Sequence, residues 1–146
     1  MINKNIHKIF TALSFLIPLV IYILTMAPTT SFWDCGEYIA TSRILGVPHP
    51  PGSPLYLLLG NVFSNLPIFQ DIGARVNLIS PIASAFSVMF LYLIIVYLIE
   101  EYRGKTKSLS DIMITYCSAF IGALTFAVTD SHWFNAVEAE VYSVST

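Results

Sequence analysis

The sequence predicts an all-α polytopic membrane bundle, and three observations carry that prediction. Hydrophobic residues make up 55% of the chain and charged residues only 11%, with a mean hydropathy of +0.71, far too apolar for an ordinary soluble domain. Three stretches are long and apolar enough to cross a bilayer. Polar and acidic residues collect in the segments between those stretches. The net charge of −2 implies neither a nucleic-acid binder nor a polybasic membrane-surface protein.

The first span is expected at 9–26, IFTALSFLIPLVIYILTM, which at about 1.5 Å per residue covers the hydrocarbon core. Pro18 lies inside it, where spans tolerate a proline and are often kinked by it. A signal peptide is the competing reading, with Lys4 and Lys8 ahead of the apolar run and Thr25-Met26-Ala27 resembling a cleavage site. The run is longer than a signal core and Pro28 would follow the cut, so a retained span is favoured. The second span is expected at 78–99, with Ser80, Ala83, Ser84 and Ser87 near its start, small enough for a neighbouring helix to approach closely. The third is expected at 112–128, with Ser118, Ala119, Gly122 and Ala123 along it. All three should be helices, since an isolated strand cannot satisfy its backbone in lipid.

Basic residues set the expected orientation. Lys4, Lys8, Arg103, Lys105 and Lys107, five of the seven basic residues, fall on one side, so the N-terminus and the 100–111 loop should be cytoplasmic. The outer loop 27–77 and the segment 129–146 then face periplasm or lumen. Six of the nine acids, Asp34, Glu37, Asp71, Asp130, Glu138 and Glu140, lie there. Cys35 falls in the outer loop and Cys117 inside a span, so no disulfide is expected between them.

Within the outer loop a short helix is expected from Gly36 to Leu45, ending at Gly46 and Pro48. His49-Pro50-Pro51-Gly52 must be extended or turned. A second helix is expected over 53–65, with Ser53 as N-cap and Pro54 at its first position. Leu55, Leu58, Leu59 and Val62 repeat there at helical spacing, as a helix lying in the interface requires; a shallow fourth span would invert the later topology.

The chemistry-bearing residues lie just beyond the spans. Asp34 and Glu37 are spaced i,i+3, near enough to share a face, with Trp33 and His49 beside them in sequence. A carboxylate near the bilayer can act as general base, its pKa raised by partial burial. Paired acids can instead coordinate a divalent cation, or Asp34 can simply cap the helix while Glu37 is solvated. The second outer segment, TDSHWFNAVEAEVY, repeats the theme with Asp130, His132, Trp133, Glu138 and Glu140. An extended E-x-E would point both carboxylates the same way, as a cation site needs, whereas on a helix they diverge by about 200°. Trp133 can stack on a sugar ring or anchor at the interface.

FWDCGEYIATSRILGVPHPPGSPLYLLLGNVF resembles the signature of a family of multi-span membrane proteins common in Bacteroidetes-type bacteria, whose animal relative is the protein O-mannosyltransferase that modifies plexins. WFNAVEAEVYS is similar to that family's second signature. The resemblance implies a GT-C glycosyltransferase taking sugar from a polyprenyl-phosphate carrier to a protein or glycan acceptor, without nucleic acid. It implies Asp34 as catalytic base, Glu37 as its partner or substitute, and His49 facing the donor phosphate or the acceptor. Trp33, His132 and Trp133 are assigned to substrate. Glu138 and Glu140 resemble the acidic pair of the second outer loop, and a divalent cation there is open because mannosyl-type members generally work without one. The expected mechanism is inverting transfer of a sugar, mannose in the animal relative, to a Ser or Thr hydroxyl. Arg75, in preference to Arg43, is expected to stabilise the departing phosphate. A bacterial inner-membrane location is expected, with the motif loops periplasmic. The chain reads as the N-terminal part of one longer GT-C-like domain, inactive alone. The competing class is a transporter or channel subunit recruiting cations through its outer acids, but the spans hold no charged residue to carry them across.

Overall fold

The computed structural model describes residues 2–50, 52–104 and 108–145. They form eight helices, with no strand among the described residues: α1 (Ile2–Thr25), α2 (Cys35–Ile44), α3 (Pro54–Asn65), α4 (Ile72–Asn77), α5 (Ile79–Arg103), α6 (Leu109–Ala127), α7 (Asp130–Val137) and α8 (Tyr142–Ser145).

The three long helices run up, down and up. At one end His7 of α1 meets Tyr92 of α5 and Tyr116 of α6 through ring contacts 5.7 and 5.1 Å apart. At the other, Tyr22 of α1 donates its hydroxyl to the Ala127 carbonyl at the end of α6, at 2.6 Å. That carbonyl is one of the four a helix C-terminus leaves without an internal partner. Segments 27–77 and 128–145 therefore gather at one end of the bundle, as the basic-residue pattern requires.

Close packing of small residues holds the bundle. Ala119, Ala123 and Ala127 recur every fourth position on α6 and are buried against α5 and α1, with Tyr22, Val88, Tyr92 and Tyr116 filling the space between. Ser80 and Ser84 of α5 are wholly buried. The opposite faces carry large exposed apolar side chains, among them Leu16, Val20, Leu24, Phe90, Ile94 and Ile121. Such an apolar girdle is stable against lipid rather than water, and α1, α5 and α6 are each long and apolar enough to span. The architecture is that of an integral membrane protein.

At the His7 end the long helices outrun their expected bounds, whereas at the other end α1 and α6 each stop one residue short and α5 starts one residue late. α5 continues to Arg103 and α6 starts at Leu109, where Ser108 accepts from the Asp111 amide at 3.1 Å. Residues 100–103 and 109–111 are therefore helical; Lys105 and Lys107 lie outside the described residues, as do Pro51 and Thr146. α4 was not expected. Asp71 caps it by accepting from the Ala74 amide at 3.1 Å, and with α5 it makes a helical run from Ile72 to Arg103.

The outer-end helices fold against this frame. α2 ends one residue before its expected limit, on Leu45 at φ 52°, a left-handed non-glycine residue. α3 follows the expected bounds, but the Ser53 hydroxyl makes no cap bond and reaches Tyr38 instead. Leu55, Leu58, Leu59 and Val62 point outward while Tyr56, Leu57 and Gly60 face α2. Gly60 sets how close the two helices come, because a Cβ there would lie 2.7 Å from the Ser42 Cβ and closer still to its hydroxyl.

Candidate active site

Asn77, at the end of α4, organises the floor of this end. It is wholly buried, and its amide donates to the Ala27 carbonyl at 2.8 Å and the Thr29 carbonyl at 2.9 Å. Its oxygen accepts from the Cys35 thiol at 3.6 Å. The chain leaving α1 is thereby tied to the start of α5 and the start of α2, and Ala27 also donates to the Val137 carbonyl at 2.8 Å. Cys35 is free and buried, and burial pushes its thiol up in pKa; it is a structural contact rather than a nucleophile.

On this floor sit Asp34 and Glu37. Asp34 occupies the N-cap position of α2 but makes no side-chain cap bond, so the capping role open from sequence is not the one it fills. Glu37, a turn further on, binds His49 twice. Its Oε1 accepts from the His49 backbone amide and its Oε2 pairs with the ring Nδ1, both at 2.7 Å. The other ring nitrogen, Nε2, faces Asp34 Oδ2 at 4.0 Å. The 49–52 turn is closed by the Gly52 amide donating to the His49 carbonyl at 3.1 Å, with Gly52 at φ 83°. The paired hydrogen bonds with His49 hold the Glu37 carboxyl below its usual range, and the same partner raises the His49 imidazole.

The second motif arrives from the opposite side. Glu138 follows α7 in an extended conformation, φ −140° and ψ 168°, and is buried. Glu140 is half-buried, its amide donating to Ser80 Oγ at 3.5 Å. Burial raises the Glu140 carboxyl, with the charges of Glu138 and Asp34 adding to the rise. The carboxylate that burial makes more basic is thus Glu140. Two hydroxyls, unexpected from sequence, line the space between the motifs: Tyr38, whose ring lies 6.1 Å from that of His49, and Tyr56, 5.5 Å from Tyr38. Burial pushes both phenols up in pKa, so they are neutral hydrogen-bonding groups. Both tyrosines fall within the first motif, and aromatic spacing alone does not separate such residues from core.

Other expected site residues lie elsewhere. Trp33 stands beside Asp34, 90% exposed and left-handed at φ 56°. His132 and Trp133 turn inward: the His132 ring packs 4.3 Å from Phe126, and Trp133 lies edge-on to Tyr22 at 5.7 Å. Burial lowers the His132 pKa and keeps it neutral within the bundle end, so neither residue joins the acids. Arg75 donates to the carbonyls of Phe69, Ser64 and Gln70 at 2.6, 3.1 and 3.2 Å. Those donors are committed to the end of α3 and the loop before α4 rather than held out for a phosphate. Arg43 is bonded to Asn65 and to the Ser64 carbonyl.

Among the described residues, the group whose ligand atoms could converge on a cation is Asp34, Glu37 and His49, with atoms within 4.8 Å of one another; Glu138 and Glu140 are not in it. The fit is poor, because Nδ1 of His49 carries the proton it shares with Glu37 Oε2 at 2.7 Å, whereas a ligating imidazole nitrogen must be unprotonated. The atoms are arranged as a hydrogen-bonded Glu37–His49 pair with the Asp34 carboxylate 4.0 Å beyond the far ring nitrogen.

Comparison with known proteins agrees with the two motifs. The chain is 25% identical over 128 residues to "Protein O-mannosyl-transferase tmem260" of Dictyostelium discoideum, covering 86% of this chain and 14% of that protein. It is 27% identical over 125 residues to "Protein O-mannosyl-transferase TMEM260" of Mus musculus, covering 86% of this chain and 16% of that protein. The chain thus spans well under a quarter of the length of these curated relatives. No solved structure matches it. Residues 34–146, beginning at Asp34 and taking in both motifs, match the Protein O-mannosyl-transferase TMEM260 N-terminal domain, and the chain belongs to that family.

Proposed function

We propose that this chain carries the acidic end of the active site of a membrane glycosyltransferase that moves mannose from a polyprenyl-phosphate carrier to a Ser or Thr hydroxyl of a protein, with inversion. One observation carries the reading: residues about a hundred positions apart, Asp34, Glu37 and His49 from the first motif and Glu140 from the second, face one another at one end of the bundle. The names of the relatives, protein O-mannosyl-transferases, supply the sugar and the class of acceptor. By the positive-inside rule this end faces the periplasm or lumen.

Asp34 is the catalytic base. Glu37 has both oxygens bound to His49 and a lowered pKa, which makes it a poor proton acceptor. Asp34 has no cap bond to break and is open to an incoming hydroxyl. Beside the acids an apolar groove of about 330 Å³, lined by Gly52, Pro54, Leu55, Tyr56, Val141 and Val144, suits a donor with a polar head and a hydrocarbon tail.

The test is sugar transfer from polyprenyl-phosphate mannose by the full-length protein in membranes, wild type against Asp34→Asn. A loss of about 10²- to 10⁴-fold at normal abundance is expected for removal of a general base. Unchanged transfer moves the base to Glu140. No transfer by wild type from any polyprenyl-phosphate sugar sinks the glycosyltransferase reading.

A further inference from the structure

Resting on the glycosyltransferase reading above, we infer that His49 works on the acceptor side as the proton partner of Asp34, and that Glu37 is the positioning residue that holds it there. The distance decides the side. In an inverting displacement the base and the group assisting the leaving oxygen stand on opposite faces of the sugar, which in inverting glycoside hydrolases puts them about 6.5–9.5 Å apart. His49 Nε2 lies 4.0 Å from Asp34 Oδ2, so the two groups cannot flank a sugar ring; they share one face.

The ring is held for that task. Two hydrogen bonds from one residue, amide and Nδ1, to one carboxylate fix both the turn and the imidazole plane. The Nδ1–H is thereby committed to Glu37, leaving Nε2 as the free site toward Asp34, the logic by which a carboxylate orients a histidine in hydrolytic triads. The charged and titratable groups facing the ring are Asp34 and Glu37 from α2 and Glu140 from the stretch between α7 and α8, with Tyr38 beside it.

The proton inventory closes. The acceptor oxygen bonds to the anomeric carbon while its proton passes to Asp34. The bond from that carbon to the phosphate oxygen breaks, its electron pair leaving on the phosphate. Asp34 then passes the proton to neutral His49 at Nε2. Both side chains are about half exposed, 56% and 46%, so a small rotation closes the 4.0 Å gap and solvent water removes the proton from the imidazole. The carboxylate is restored, and the acceptor's proton has gone to water.

The experiment measures transfer by the full-length protein in membranes with polyprenyl-phosphate mannose, for His49→Ala, Glu37→Gln and Asp34→Asn. For His49→Ala we expect kcat to fall about 10²-fold with the donor KM little changed, and added imidazole to restore part of it. Activity should rise with pH as His49 becomes neutral. Glu37→Gln removes the charge that raises the imidazole, so this rise should move to lower pH, a shift that loss of packing alone would not produce. Where His49→Ala fails to accumulate, the Glu37→Gln profile decides. A raised donor KM with kcat intact would make His49 a donor-phosphate ligand and overturn the inference, as would an unchanged kcat or an unmoved pH profile. Asp34→Asn separates the two readings: if it retains activity, the base assignment beneath this inference falls; if it is inactive while the other variants behave as wild type, only the inference falls.

Discussion

Replacing Asn77 by alanine should cost more stability than any other single truncation at the outer end. The side chain is wholly buried and makes two short hydrogen bonds, to Ala27 and Thr29, and a longer one from Cys35. Each neutral bond is worth about 1 kcal/mol net, and each buried carbonyl stranded by its loss costs about 1–3 kcal/mol. With partial access of water to the two carbonyls the sum comes to about 3 kcal/mol. Asn77→Asp should be worse, because an anionic oxygen would face two carbonyl oxygens where an amide now donates. The assay is thermal or denaturant unfolding of the full-length protein in a mild detergent, followed by tryptophan fluorescence. Trp33 and Trp133 flank this end of the bundle, so their signals report on it. If Asn77→Ala unfolds within about 0.5 kcal/mol of wild type, or Asn77→Asp no earlier than Asn77→Ala, the account of the floor is wrong.

Gly60→Ala should destabilise by about 1–3 kcal/mol, since the new methyl meets the Ser42 Cβ at 2.7 Å and overpacks the α2–α3 contact; Gly60→Ala with Ser42→Gly should recover most of it in the same melt. Tyr22→Phe removes the 2.6 Å bond to the Ala127 carbonyl and should cost about 1–2 kcal/mol, read as a lower unfolding midpoint. Asp71→Ala removes the cap of α4 and should cost about 1 kcal/mol, with Asp71→Asn losing less. The Glu37–His49 contact should open at both pH extremes. His49 is raised from 6.5, so its contribution is complete below that value and lost as pH rises through the raised one. Glu37 is lowered from 4.5, so its contribution is complete above that value and lost as pH falls through the lowered one. Hydrogen exchange of the His49 amide, most protected relative to its intrinsic rate between those limits, checks both signs.

The spans were legible because lipid imposes one simple rule, a run of apolar residues long enough to cross, and α1, α5 and α6 obey it. The proline and glycine punctuation around 46–54 set the ends of α2 and α3 to within a residue. The i,i+3 spacing of Asp34 and Glu37 was correctly read as proximity, yet not that one of them would be bound by His49. That contact depends on how the chain folds back after α2, where the left-handed residue is Leu45 rather than the Gly46 next to it, and Gly52 is positive in φ at the far end. α4 is six residues long with a single cap, too short to show a period. Asn77 reads as one polar residue before a span, and only three-dimensional closure shows what it holds. Arg75 was a reasonable phosphate ligand by elimination among basic residues, but the uncapped carbonyls of its own loop are nearer partners. Trp133 was open between stacking on a sugar and anchoring at the interface, and its ring instead lies edge-on to Tyr22.

The run from Ile72 to Arg103 has a consequence for depth. Thirty-two residues of helix measure about 48 Å, against a hydrocarbon slab of about 30 Å. With Glu100, Glu101 and Arg103 held in water at one end, the surplus emerges at the other, lifting α4 and Asn77 to the level of the lipid headgroups. A sugar esterified to a lipid phosphate has its reactive carbon at that same height. For the lipid-linked donor of the proposed function, encounter would then be a search within the plane of the membrane, with depth already matched.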